Sequence, residues 1–109
     1  MDAREERLVK NEAVFREINE HIEEAAVSHG QDRHIYEFLC ECSNADCTLQ
    51  VPLTLADYER VRIEPTHFVV APGHELPEIE RVVLRTPAYE IVRKQGDAAE
   101  LAKEEDPRS

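Results

Sequence analysis

All three cysteines of the chain lie between positions 40 and 47, spaced Cys40-x-Cys42-x4-Cys47. On a strand, residues two apart point to the same side, so Cys40 and Cys42 present both sulfurs to one point as a strand ends. The four loop residues Ser43-Asn44-Ala45-Asp46 then bring Cys47 back to them. Thiolates gathered in this way suit zinc, which takes four ligands in a tetrahedron at about 2.0–2.3 Å and commonly combines cysteines with one histidine. A fourth donor is therefore expected from elsewhere in the chain. Of the five histidines, His74 is the best placed, because it follows Pro72-Gly73 and a short rigid turn delivers an imidazole without unravelling a strand. His67, at the start of a short apolar run, is the second choice. His34 stands six residues before Cys40 on the same strand, roughly 20 Å away in an extended chain, which excludes it as a ligand. Asp46 is a weaker donor, since carboxylates are less usual in structural zinc sites.

Other chemistries compete for these residues. Buried cysteines often act as small apolar fillers, yet Cys47 sits in a polar stretch with little to fill. A thiol-based redox sensor fits the clustering, although no Cys-x-x-Cys pair is present. An iron-sulfur cluster also uses such donors; the chain shares three cysteines and one histidine with CDGSH-type proteins but lacks their Cys-Asp-Gly-Ser-His run and their spacings. A small metalloenzyme would need an open coordination position and a nearby acid or base. Glu75 follows His74, but there is no His-Glu-x-x-His and no deaminase pattern. The glycines stand alone at positions 30, 73 and 96, so no phosphate-binding loop is present. Structural zinc held by Cys40, Cys42, Cys47 and His74, without catalysis, is the expectation these comparisons leave.

The elements that must position these groups are legible from periodicity. From Ala3 to Val27, Leu8, Phe15, Ile18, Ile22 and Ala25 or Ala26 recur at helical spacing, while Glu5, Glu6, Glu12, Glu17, Glu20, Glu23 and Glu24 occupy the opposite side. Ser28-His29-Gly30 reads as the stop, Gly tolerating the left-handed conformation that closes helices. His34 to Cys40 is rich in β-branched and aromatic residues and predicts a strand. Thr48 to Leu53 predicts its return, with Pro52 near an edge or end, so the cysteines fall at the neck of a hairpin. Thr54 and Asp57 resemble a capping box opening a short helix that Pro65 stops. His67 to Ala71 predicts a strand ended by Pro72-Gly73, and the runs Glu80 to Arg85 and Tyr89 to Lys94 predict a closing hairpin around Thr86-Pro87-Ala88.

The expected fold class is α+β: a long N-terminal amphipathic helix, a small antiparallel sheet with a short second helix, and a zinc-stapled hairpin. Residues 1–30 form the helix, 31–95 the zinc-binding α+β domain packed with it, and 96–109 an acidic, Ala-rich, disordered tail. A chain of 109 residues has room for one such domain, and at this size a metal cross-link contributes materially to stability. Charged residues make up 34% and the formal net charge is −11. That charge repels phosphate backbones and anionic membranes, so direct nucleic-acid and membrane binding are not expected, and a protein with a basic surface is the better-matched partner. The charged opening residues carry no apolar signal segment, and three clustered thiols suit the reducing cytoplasm rather than a secreted disulfide framework.

Phe15-Arg16-Glu17-Ile18-Asn19-Glu20, Cys40-Glu41-Cys42, Asp46-Cys47, Leu53-Thr54-Leu55, Tyr58-Glu59, Val61-Arg62 and Val70-Ala71-Pro72-Gly73-His74-Glu75 together resemble a group of small, uncharacterised acidic proteins from high-GC Gram-positive bacteria. The similarity runs from about residue 11 to 94. It implies that Cys40, Cys42, Cys47 and His74 belong to one pattern, and it implies no activity.

Overall fold

Asp2 opens the first helix: its side chain accepts the Glu5 backbone N–H at 2.8 Å, and Glu5 and Glu6 place negative charge at the positive end of the helix dipole. With neither Gly nor Pro inside it, α1 runs over Ala3–Val27 in the computed structural model, which describes residues 1–28 and 33–108. Gly30, expected to close the helix, and His29 before it lie outside the described residues. The remaining elements are β1 (Tyr36–Leu39), β2 (Gln50–Leu53), α2 (Leu55–Arg62), β3 (His67–Val70), β4 (Glu80–Arg85), β5 (Glu90–Lys94) and α3 (Gly96–Glu104).

The architecture is α+β, with the strands divided between two antiparallel sheets, β1-β2 and β3-β5-β4. The first hairpin pairs Tyr36 with Leu53 and Leu39 with Gln50, so Cys40 leaves its end. Pro52 faces Glu37 in this two-stranded ribbon, where a missing donor costs little. Thr54 caps α2 by accepting the Asp57 N–H, as its spacing predicts. The sheets meet where the Glu41 N–H donates to Val69 O at 2.8 Å. Around that junction Phe38 stacks on Tyr58 with ring centroids 4.4 Å apart, among buried Val51, Leu53, Phe68, Val69 and Val92. Among the described residues, no helix is long and apolar enough to cross a membrane.

Two features differ from expectation. The face of α1 turned inward is largely polar: Glu12, Arg16 and Asn19 are buried, whereas Ile18 stays 42% exposed. Arg16 donates to the carbonyls of Pro65 and His67 and lies over the Phe68 ring at 3.9 Å. Lys94 is buried between the carboxylates of Glu12 and Glu80. The second difference is the tail. Residues 96–104, expected to be disordered, form α3, which packs on α1 through buried Ala98 and Ala102. Beyond it Asp106 pairs with Arg62, and Arg108 reaches Glu20 and Glu23 of α1 and Glu59 of α2. A short Ala-rich segment has little stability alone; these tertiary contacts order it.

Candidate metal centre

The end of the first hairpin, the loop behind it and the turn after β3 converge. Cys40 extends the β1-β2 ladder, its N–H donating to Leu49 O at 3.0 Å. Cys42 follows on the same side of the chain. The intervening loop folds on itself, with the Asn44 side chain accepting the Asp46 N–H at 3.0 Å and the Asn44 carbonyl accepting the Cys47 N–H at 3.0 Å. From α1, Asn11 donates to Ser43 O at 3.0 Å and fixes the loop from outside.

His74 arrives on the turn its sequence predicts. Its N–H donates to Ala71 O at 3.0 Å, and Gly73 takes φ +83°, a left-handed conformation that residues with a Cβ disfavour. Glu90 of β5 accepts the Gly73 N–H at 3.3 Å and pairs with Arg85, so the turn is tied to the three-stranded sheet.

The four donor atoms, one from each of Cys40, Cys42, Cys47 and His74, all lie within 4.8 Å of one another. His74 Nδ1 stands 3.6 Å from Cys40 Sγ and 3.7 Å from Cys47 Sγ. Metal–sulfur and metal–nitrogen bonds of 2.3 and 2.0–2.1 Å at tetrahedral angles require sulfur–nitrogen edges of about 3.6 Å. Two of the sulfur–nitrogen separations therefore match the edges that such a shell would have. Cys40 and Cys42 are buried, Cys47 and His74 half-buried. The Ala71 N–H also donates to Cys40 Sγ at 3.1 Å, a bond that favours the thiolate over the thiol.

Crowded sulfurs do not all ionise on their own. The hydrogen bond with Cys40 brings Cys42 down to about 5, helped by His74 and opposed by burial. The same bond, then burial, pushes Cys40 up, and burial raises Cys47. A divalent ion entering this group displaces the protons that Cys40 and Cys47 retain, so its affinity rises with pH.

The other candidates lie elsewhere. His67 begins β3, at the end of the strand away from Ala71 and the sulfurs, and lines a separate concavity beside Val61 and Tyr89. Asp46 is exposed on the loop and is not part of the donor group.

Sequence reasoning missed the residue between the first two cysteines. Glu41 is completely buried, and its carboxylate accepts from Asn19 Nδ2 at 2.9 Å, Tyr58 OH at 2.8 Å and the Val69 N–H at 3.0 Å. Asn19 also donates to Leu39 O at 2.9 Å and accepts the Leu39 N–H at 2.7 Å. Strand alternation is the signal that could have found it: if Cys40 and Cys42 face an ion, the acid between them faces the core.

Fold and cluster together define a small α+β protein with a Cys3His group close enough to hold a metal ion. In comparisons with known proteins, no family model, no curated protein and no solved structure matches the chain.

Proposed function

We propose that Cys40, Cys42, Cys47 and His74 hold one structural zinc ion, and that the chain is a non-catalytic interaction or regulatory protein. The observation that carries the metal reading is the match between the 3.6 and 3.7 Å sulfur–nitrogen separations and the edges of a zinc tetrahedron. Convergence of all four donors within 4.8 Å supports a single ion over an iron-sulfur cluster, which spreads its ligands over two or more irons. Four protein ligands also complete a tetrahedral shell, leaving no position for a water or substrate. Such a thiolate site suits the reducing cytoplasm, where we place the protein.

Elemental analysis of protein purified without chelator tests the site. One zinc per chain, with thiols unreactive until the protein is denatured, is the expected result. Metal-free protein with reactive thiols would favour the redox-sensor reading, to which the half-buried position of Cys47 lends access.

For a partner, the exposed side of α1 carries Glu17 and Glu24, beside a Glu6 already paired with Lys10, and meets a basic protein surface by charge complementarity. Capture of such a protein from lysate should weaken with salt and be lost on Glu17→Lys with Glu24→Lys. Capture indifferent to both changes would overturn the assignment of this face.

A further inference from the structure

The exposed side of the three-stranded sheet carries a row of basic residues. Strand register sets His67 of β3 opposite Arg93 of β5, and Arg93 opposite Arg81 of β4. Like charges directly opposite one another destabilise a sheet. Neither the Arg81 nor the Arg93 guanidinium makes a hydrogen bond or ion pair among the described residues. In a chain with 24 acids against 13 Lys and Arg, this is unusual, since Arg60, Arg62, Arg85 and Arg108 each reach a carboxylate. Burial lowers the His67 pKa, with Glu64 opposing and Arg93 and Arg16 reinforcing the shift, so the two guanidiniums carry the charge of the row.

Two concavities open along this row and share Val83 as a common wall. One, of about 350 Å³, is mostly apolar and is lined by Val61, Val83, Leu84, Tyr89 and Ile91. The other, of about 620 Å³, is lined by Arg81, Arg93, Thr66 and Lys103, with Glu64 and Glu100 also on its wall. A β-bulge between Val82 and Leu84 re-aims β4 at their junction, leaving Val83 and Leu84 about half exposed. Both volumes fall in the range of small-molecule sites, the first concavity supplying the apolar lining and the second the polar groups. Lys103 is paired with Glu100 and Arg60 with Asp57. What remains is two free guanidiniums against Glu64, a net single positive charge that suits a monoanion better than a phosphate dianion.

We propose that this face binds a small amphipathic organic acid, its anionic head held by Arg81 and Arg93 and its apolar body lying past Val83 over Leu84 and Ile91. Guanidiniums bind carboxylates through paired N–H donors, which accounts for two arginines where a sheet alone gains nothing from them. The site is separate from the cysteine cluster and independent of the zinc reading.

The test is a fluorescence titration of the full chain with 8-anilinonaphthalene-1-sulfonate, followed by displacement with octanoate. One saturable site is expected, from which octanoate competes and octanol, lacking the charge, competes at least about tenfold less well. Arg81→Ala and Arg93→Ala should each weaken octanoate about tenfold, with melting temperatures unchanged or raised because an opposed like charge is gone. Leu84→Ser should weaken octanoate and octanol alike. Dye fluorescence that octanoate does not displace, or octanoate binding that survives either arginine substitution in a folded variant, overturns the proposal.

Discussion

Glu41 is the residue through which the core reaches the sulfurs. Its carboxylate takes donors from α1, α2 and β3 while its neighbours on both sides are the buried cysteines. Glutamine would turn an NH2 group toward at least one of those donors. A buried donor left without its acceptor costs roughly 1–3 kcal/mol, so Glu41→Gln should lower stability in urea by about 2 kcal/mol. Glu41 bonds to none of the four donors but anchors the backbone between Cys40 and Cys42, so its loss should also loosen their geometry and weaken metal binding by about tenfold, the low end for groups that support ligands directly. Competition against a chelator should therefore show Glu41→Gln releasing its ion much sooner than the parent. A variant that is destabilised yet binds metal as tightly would confine Glu41 to the fold. At this scale the convergence of the four donors was legible because thiols and imidazoles have few other uses at such spacing. The role of Glu41 was hidden, since its side-chain partners stand 17 to 28 positions away and no local pattern announces them.

At the scale of elements, α1, both hairpins and the capped α2 follow from local chemistry, and their boundaries lie close to those the sequence predicts. The inward face of α1 does not follow. Hydropathy assigns Glu12, Arg16 and Asn19 to solvent, but Lys94, Phe68 and Leu39 meet them in the folded chain. Burial raises the Glu12 pKa well above the usual carboxylate range, opposed by Lys94 and reinforced by Glu80, so one ammonium serves two acids. Lys94→Met leaves two buried acids without their shared cation and should cost about 3–5 kcal/mol in urea denaturation. Glu12→Gln, a neutral side chain of the same shape as the proton-retaining acid, should cost much less; equal losses would mean that the pairing is incidental to packing. Metal removal acts on different elements. The cluster joins the neck of β1-β2 to the turn at residues 71–74, whereas α1 and the three-stranded sheet are joined separately, by Arg16 on His67 and Phe68 and by Lys94 with Glu12. Chelation should therefore strip hydrogen-exchange protection from residues 40–47 and 71–74 first. Uniform loss across the chain would instead make the ion a requirement for the whole fold.

Across the whole molecule, the excess of acids is managed by a few cations that tie distant segments together. Arg108 joins α1, α2 and the end of the chain by meeting Glu20, Glu23 and Glu59. Composition suggested a frayed terminus because such a clamp depends on positions 49 to 88 residues apart. The clamp leaves a signature in pH. Burial, then a hydrogen bond shared with Glu59, raises Glu23 to about 8, while Arg108, then Glu23, holds Glu59 down to about 2. For Glu23 the folded chain keeps a proton that the unfolded chain loses near 4.5, so its stabilisation is complete below that pH and is lost as pH rises through about 8. Glu59 acts in the opposite sense: its stabilisation is present above 4.5 and is lost only as pH falls toward about 2, so it contributes no slope between pH 5 and 8. Glu23→Gln stays neutral throughout and retains an oxygen to accept from Arg108. Its melting temperature should match the parent near pH 5 and exceed it by a few degrees at pH 8. Comparing the two at each pH cancels the titration of the cysteines, which both share. Parallel melting curves from pH 5 to 8 would show that Glu23 is ionised in the folded protein and that the three acids share Arg108 without a retained proton.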